Sequence, residues 1–392
     1  MRWWHAAGAL VVVAAAAATA VSVVEPPGEA ATTSAPTSEP PAGTTLPAPT
    51  TTQAVISTTA AVFGGEGVVF ARRGGADVLA GPAGPVIARL RRGIPLAATG
   101  WDGELITVVT PCDTTAFVRA DEVRAMPPAP AQDPGIGFDL GEAIIVVDPG
   151  HGGPNIGARA PDGTPEKSVN LEIAHLVRDL LEAPRAIAAD GGVLAGDDIV
   201  AAGRVLMTRV GKGSRGDYEA GLTYRAALAN AANASVMVSI HNNAGADISV
   251  EVPGSDAYYQ SSVPESRRLA TLIVEELRRS LEAFDADWVG TDPVGAKSRL
   301  SEQDGNPQYY GLLRRATVPT VIAEGAYIVN PSEAALLATT EFKIAYAEGV
   351  YRAIVRFLES GDTGDAPSYD PVTWPGGAGS GDARQDCTLP EE

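Results

Sequence analysis

Histidine is suited to reactive chemistry and is scarce in this chain, so its positions are informative. The chain of 392 residues contains 4 His and 2 Cys, which excludes a zinc site of four thiolates and an iron–sulfur cluster. Any metal site must therefore draw on imidazoles and carboxylates. His5 lies in an apolar N-terminal segment, which leaves His151, His175 and His241 for a site.

His151 and His241 are predicted to lie at the carboxyl ends of two buried strands. The apolar run 143–147 leads into the letters DPGHGG, and the run 236–240 leads directly into HNN. In an open α/β sheet, sites form at the carboxyl edge of the strands. His175 falls within a helical pattern and faces away from that edge, so it is predicted to be a surface or packing residue.

Two acidic residues are predicted to reach the same edge of the sheet. Glu166 opens a predicted helix at 166–182, and Glu324 directly follows a predicted strand at 320–323. Two imidazoles and one carboxylate are the ligand set of a catalytic zinc with a position open for water, and a further carboxylate can carry the water proton. The predicted strand ends alone are therefore compatible with a zinc-hydrolase site.

The elements around these residues predict an α/β domain at 143–358. Apolar strands alternate there with amphipathic helices, which indicates a mixed, largely parallel, twisted sheet flanked by helices. The strands are predicted at 143–147, 205–208, 236–240, 256–260 and 320–323, and the helices at 166–182, 222–232, 264–284 and 341–358.

The two ends of the chain are predicted to lie outside the folded domains. Residues 1–24 place one cationic side chain before an apolar run, which is typical of an export signal, either removed or retained as a membrane anchor. Residues 25–60 are rich in Pro, Thr and Ser and are predicted to be a disordered spacer. Residues 359–392 are predicted to be a disordered acidic tail. Whether residues 1–24 are removed or retained, the rest of the chain is predicted to be extracytoplasmic. Cys112 and Cys387 can form a disulfide there or remain apart.

Residues 61–125 predict a small all-β domain, because short apolar runs alternate with Gly and Pro. The order of its turns, GP at 81–82, LRRG at 90–93 and GW at 100–101, resembles that of a bacterial SH3-like domain. Such a domain can bind a ligand or merely pack against its neighbour. A linker at 126–142 joins it to the α/β domain.

The charge of the chain argues against some classes of partner. The 29 Lys and Arg and the 48 Asp and Glu give a formal net charge of −19. A surface this acidic repels phosphate backbones and anionic lipid headgroups. We therefore predict no nucleic-acid partner, and membrane attachment only through residues 1–24.

Six motifs in a fixed order resemble the zinc-dependent N-acetylmuramoyl-L-alanine amidases of the Amidase_3 type. They are DPGHGG at 148–153, Glu166 with Asn170, TR at 208–209, Arg225 with AN at 229–230, SIHNN at 239–243, and Glu324 followed by NP at 330–331. The resemblance covers residues 143–358 and implies a mixed sheet flanked by helices.

The resemblance also implies roles for individual residues. His151, Glu166 and His241 would bind Zn²⁺, and Glu324 would be the catalytic residue. The implied substrate is peptidoglycan, cut at the amide between N-acetylmuramic acid and the L-alanine of the stem peptide. The sequence departs from the family at 325–327, where GAY replaces the usual small residue, Gly and Phe, and in a long insertion at 186–203 that is expected to shape substrate access.

Other polar residues are predicted to support the ligands or to contact substrate. They are Asp148, Asn170, Arg209, Arg225 and Asn243. The aspartate can orient His151 or cap the turn after the strand. The arginines can contact acidic parts of the stem peptide or form structural ion pairs, and the asparagines are predicted to be hydrogen-bonded supports. Glu333 is predicted to form a reciprocal helix cap with Asn330 and is excluded from catalysis.

Three functions are compatible with this pattern. The first is an exported zinc amidase that remodels or lyses the cell wall. The second is a wall-binding or regulatory protein that keeps the amidase fold without its chemistry, and the third is a zinc hydrolase of another amide. The first is favoured, because all three predicted ligands and Glu324 are present and the motifs occur in order.

Overall fold

The computed structural model describes residues 65–183, 185–187, 193–195, 202–211, 218–303, 305, 307–375 and 386–390. The predicted signal or anchor at 1–24 and the spacer at 25–60 lie outside the described residues, as does most of the insertion at 186–203. None of the helices described is both long enough and apolar enough to cross a bilayer.

The N-terminal part of the described chain is a β domain of seven antiparallel strands. They are β1 (Gly67–Ala71), β2 (Ala76–Leu79), β3 (Val86–Leu90), β4 (Pro95–Trp101), β5 (Leu105–Val109), β6 (Thr115–Arg119) and β7 (Val123–Met126), in the order β3-β2-β6-β5-β4-β1-β7. Alternate side chains such as Val69, Val78 and Val108 are fully buried in a core that also includes Tyr218, Ala220 and Tyr224 from later in the chain. The predicted small all-β domain is thus present, while its likeness to SH3-like domains remains a prediction.

The second domain is built on a six-stranded sheet in the order β11-β8-β12-β18-β14-β16. Its strands are β8 (Ile144–Pro149), β11 (Arg204–Met207), β12 (Val236–Asn243), β14 (Asp256–Tyr259), β16 (Ala296–Lys297) and β18 (Thr320–Tyr327). All neighbours are parallel except β14 and β18. Short two-stranded pairs join β9 (Arg185–Ile187) to β10 (Val193–Ala195) and β13 (Ile248–Ser249) to β15 (Val289–Gly290). This architecture confirms the predicted mixed, largely parallel sheet.

Helices cover both faces of this sheet. They are α1 (Glu166–Glu182), α2 (Leu222–Ala231), α3 (Glu265–Leu281), α4 (Gly311–Arg315), α5 (Pro331–Leu337) and α6 (Thr340–Glu359). Because side chains alternate along a strand, Ile145 and Val147 of β8 pack in the core with α1, α3 and α6, whereas Ile144 and Val146 pack with α2 and α4. The sheet therefore lies between two helical layers, with its carboxyl edge open.

The acidic tail is partly ordered, so the prediction of disorder from residue 359 is wrong for residues 359–375. Strand β19 (Val372–Trp374) pairs in parallel with β17 (Arg299–Ser301). The Tyr259 hydroxyl donates to the Tyr369 carbonyl at 2.6 Å. The segment has no hydrophobic periodicity, and its order comes from backbone pairing with residues about 70 positions earlier, which composition does not reveal.

The β domain supplies the N-terminal cap of helix α2. Gly221, the residue before this helix, has no side chain to accept the free helical N–H groups. Instead Asp113 Oδ1 accepts from Tyr224 N at 2.7 Å, and the Pro111 carbonyl accepts from Gly221 N at 2.9 Å. A side chain at Gly221 would overlap the Asp113 carboxylate. The Tyr224 hydroxyl completes the contact by donating to the Pro95 carbonyl at 2.7 Å.

Cys112 and Cys387 form a disulfide, with Cα atoms 5.6 Å apart. Cys112 lies in the same turn as Asp113. The pairing that the sequence left open therefore ties the end of the tail to the turn that caps α2.

Replacing Asp113 with alanine is expected to lower the free energy of unfolding by about 1 kcal/mol, the usual cost of a lost helix cap. Asp113→Asn should retain most of that stability, since the amide oxygen can still accept from Tyr224 N. Denaturant unfolding of the two variants beside the parent measures both values. An equal loss of free energy of unfolding in the two variants would mean that the hydrogen bond from Tyr224 N does not account for the lost stability.

Candidate active site

Three of the predicted site residues meet at the carboxyl edge of the central sheet. His151 follows β8, Glu166 is the first residue of α1, and His241 lies in β12. Glu166 Oε2 is 3.0 Å from His151 Nε2, and Glu166 Oε1 is 3.1 Å from His241 Nδ1. The donor atoms all lie within 4.8 Å of one another, and among the described residues this is the group that could hold a metal ion. His175 lies elsewhere on α1, half-buried.

Two glycines make this close approach possible. A side chain at Gly150 would overlap the His241 ring, and one at Gly157 would press against both Glu166 and His151. His151 itself has a left-handed backbone with φ of 63°, which turns its ring back toward Glu166. The glycine-rich sequence after β8 thus provides both the tight turn and the space for the rings.

Glu166 is fixed as an ionised carboxylate. It accepts from Ala158 N at 3.0 Å, from Asn242 N at 3.1 Å and from Asn170 Nδ2 at 3.1 Å. Burial raises its pKa, but the hydrogen bonds and charges of the two histidines outweigh burial and hold the pKa of Glu166 below its ordinary value. Asn170 thus supports Glu166 through a hydrogen bond.

Asn155 orients the ring of His151. His151 Nδ1 lies 2.9 Å from Asn155 Oδ1 and donates to it, which directs Nε2 toward Glu166. Burial lowers the pKa of His241. Two imidazole nitrogens that face one carboxylate fit a zinc ion.

Asn155 was not predicted from the sequence, in which Asp148 was expected either to orient His151 or to cap the turn after the strand. Replacing Asn155 with alanine is expected to weaken zinc binding about 10- to 100-fold, the usual effect of losing the group that orients a ligating histidine. Competition with a zinc-binding dye measures the affinity. Unchanged affinity in a folded N155A protein would show that the His151 ring is oriented by other contacts.

Asp148 instead anchors a buried network beneath the site. It accepts from Ser239 Oγ at 2.6 Å, from the Thr208 hydroxyl and from Arg225 Nη1. Burial raises the pKa of Asp148, but the Arg225 charge and these hydrogen bonds bring it below the ordinary value. The Arg225 guanidinium also donates hydrogen bonds to the His151 carbonyl at 2.5 Å and to the Pro149 carbonyl at 2.9 Å.

Arg209 reinforces the same turn. It donates to the carbonyl oxygens of Pro149, Gly150 and Lys167 at 3.0, 2.9 and 2.7 Å. Arg209 and Arg225 are 1% and 3% exposed. Of the two alternatives open for these arginines, the contacts favour a structural role over contact with the stem peptide.

Glu324 lies beside the three-residue cluster, on the neighbouring strand. Strand β18 runs beyond its predicted end, so Glu324 lies within the strand and pairs in register with His241. Its Oε2 atom is buried and has no hydrogen-bond partner among the residues that the structure describes. Burial raises the pKa of Glu324 well above its ordinary value, and the charges of Glu166 and Asp256 raise it further. Such a carboxyl group is suited to exchanging a proton.

A cleft of about 660 Å³ connects these groups. Its lining includes Glu324 and the three clustered residues together with Asn243 and Tyr310. Asn243 Nδ2 donates to Asp256 Oδ2 at 3.3 Å, so Asn243 is hydrogen-bonded at the wall of the cleft.

Glu333 does not form the reciprocal cap that was predicted. Asn330 caps α5 by accepting from Ser332 N and Glu333 N at 2.8 and 3.2 Å. The Glu333 carboxylate turns inward and accepts from Tyr327 N at 2.8 Å and Val289 N at 3.0 Å, which are donors that only the tertiary fold brings near. Glu333 thus secures the end of β18 from behind.

Comparison with known proteins agrees with this geometry. A family model described as N-acetylmuramoyl-L-alanine amidase (Amidase_3) matches residues 145–190 and 195–356, more than half of the chain. The germination-specific N-acetylmuramoyl-L-alanine amidase of Bacillus subtilis is 30% identical over 233 residues, which cover 57% of this chain and 83% of that protein.

Two further similar proteins come from other bacterial groups. The amidase AmiC of Neisseria meningitidis is 26% identical over 252 residues, which cover 58% of this chain and 55% of AmiC. This chain therefore spans about half the length of that relative. The solved structure of the amidase AmiC2 of Nostoc punctiforme is 25% identical with a TM-score of 0.40, and the match covers 55% of this chain and 97% of AmiC2. On the family match and the Bacillus relative, this chain belongs to the N-acetylmuramoyl-L-alanine amidases, hydrolytic enzymes that act on peptidoglycan.

Proposed function

We propose that this chain is an exported, zinc-dependent amidase that hydrolyses the bond between N-acetylmuramic acid and the L-alanine of the peptidoglycan stem peptide. The observation that carries the proposal is the meeting of His151, Glu166 and His241 in one cleft with Glu324. Zinc fits the donor set better than magnesium or calcium, since these ions prefer oxygen ligands.

The residues of the cleft have different roles in the proposed hydrolysis. His151, Glu166 and His241 would hold the zinc ion, which supplies Lewis acidity that makes water a stronger acid and a carbonyl carbon a better electrophile. Glu324 accepts a proton from the attacking water at its unpaired Oε2 atom. It then returns that proton to the nitrogen of the leaving amine, so the C–N bond breaks without releasing an unstable amide anion.

Export is supported by two independent features. Residues 1–24 have the pattern of a signal or anchor. The Cys112–Cys387 disulfide is of a kind that persists in oxidising compartments and is rare in the cytoplasm. Mass spectrometry of the N-terminus of protein recovered from cell fractions distinguishes a cleaved signal from a retained anchor.

The decisive experiment incubates the zinc-loaded full chain with purified peptidoglycan and identifies the new chain ends by mass spectrometry. Release of intact stem peptides with free L-alanine amines supports the proposal. Binding to peptidoglycan without release would overturn it in favour of the wall-binding alternative, and cleavage at a different amide would assign a different hydrolase.

A further inference from the structure

An arginine without a carboxylate partner among the described residues lies beside Tyr310, a residue that lines the cleft. Arg299 of β17 is half-buried, and no Asp or Glu in the described part of the chain comes within ion-pair distance of its guanidinium. Its Nη1 atom donates to the Tyr310 hydroxyl at 3.0 Å. The other guanidinium nitrogens make no hydrogen bond to described residues, so the group has donors to spare.

Aromatic rings hold this guanidinium in place. Its central carbon lies 4.0 Å from the centre of the Trp374 ring and 4.7 Å from that of Tyr258. Both distances are those of cation–π contacts. Trp374 belongs to β19, which pairs with β17, so the ordered part of the tail fixes Arg299 before any ligand arrives. A fixed guanidinium loses less conformational entropy on binding than a free one.

The position of Arg299 relates it to the reaction. Tyr310, its hydrogen-bond partner, lines the same cleft as Glu324. Arg225 also lines the cleft, but its guanidinium is committed to the Asp148 carboxylate and to backbone carbonyl groups, and Arg209 donates to backbone carbonyl groups beneath the site. Arg299, next to the cleft wall at Tyr310, therefore keeps donors for a charged substrate group.

We propose that Arg299 is a substrate-binding residue that pairs with a carboxylate of the stem peptide. This inference rests on the proposed amidase function. The lactyl carboxyl group of the sugar is consumed in the scissile amide, so the negative charges of the substrate near the cut lie on the peptide side. The planar guanidinium matches a carboxylate through two parallel hydrogen bonds.

The test uses two synthetic muropeptides that differ only in the stem carboxyl group nearest to L-alanine, which is free in one and a carboxamide in the other. With the zinc-loaded full chain, kcat/KM is expected to be about 10- to 100-fold higher for the free carboxylate. Arg299→Gln should abolish this preference by losing activity on the carboxylate substrate alone. Arg299→Lys keeps the positive charge but not the planar pair of N–H donors, and it should retain part of the preference.

Equal kcat/KM values of the parent protein for the two substrates would overturn the inference, and that comparison needs no variant to fold. If R299Q lowers kcat/KM for both substrates by the same factor, the inference is also overturned and Arg299 has a purely structural role. If the parent cleaves neither substrate, the amidase proposal fails instead. Calorimetry with the two stem dipeptides then decides the role of Arg299, because tighter carboxylate binding by the parent than by R299Q supports it and equal binding overturns it.

Discussion

Glu324→Gln is expected to reduce the rate of amide hydrolysis by about 10²- to 10⁴-fold, the usual contribution of a general acid–base group. Glutamine has nearly the shape of glutamate but cannot accept and return a proton. The parent carboxyl group is buried near the negative charges of Glu166 and Asp256, and a neutral amide relieves that repulsion. The variant is therefore expected to unfold at the same temperature as the parent or a higher one.

Single-turnover release of stem peptides and calorimetry on the same samples measure both effects. Glu172→Gln is the matched control, because Glu172 lies on α1, pairs with Lys343 at 2.7 Å and is 41% exposed in its side chain. That control should keep the parent rate. Full activity of E324Q with zinc bound would remove Glu324 from the mechanism.

Glu166→Gln is expected to abolish stoichiometric zinc binding and, with it, amidase activity. Glu166 contacts both histidines, and the change removes the only negative charge of the proposed ligand set. The amide group can still donate to one imidazole, so the metal-free variant should fold. In the parent, zinc at a thousand times its Kd should raise the free energy of unfolding by about 4 kcal/mol, and the variant should not respond.

Metal content by mass spectrometry and thermal unfolding with and without zinc test this expectation independently of catalysis. A chelator should inactivate the parent, and added zinc should restore it. E172Q, on the same helix, should behave as the parent in both measurements. One equivalent of tightly held zinc in E166Q would contradict the ligand assignment.

The four residues of the proposed site could be predicted because their places relative to the predicted parallel strands indicate where they lie in the fold. His151 and His241 follow apolar runs, and strands of one parallel sheet end at the same edge. The sheet therefore brings together residues that are 90 positions apart in sequence. Only the ends of these two strands differ from the prediction. Strands β12 and β18 continue through His241 and Glu324, where they pair with each other.

Three other residues, Asn155, Asp113 and Arg299, could not be predicted, because tertiary contacts alone determine their roles. Asn155 reaches His151 only through a left-handed turn. Asp113 caps a helix that begins more than 100 residues later. Arg299 depends on a strand pair with the tail, whose composition indicates disorder. None of these residues belongs to a periodic pattern.

The Cys112–Cys387 bond also makes the order of synthesis relevant to the finished enzyme. The two cysteines are 275 positions apart, so Cys112 cannot form this bond until the residues between them have been made. A chain that stops short of Cys387 would keep a free thiol in the turn that caps α2, the helix from which Arg225 reaches the His151 carbonyl. The bond thus distinguishes chemically a chain that contains Cys387 from one that stops before it.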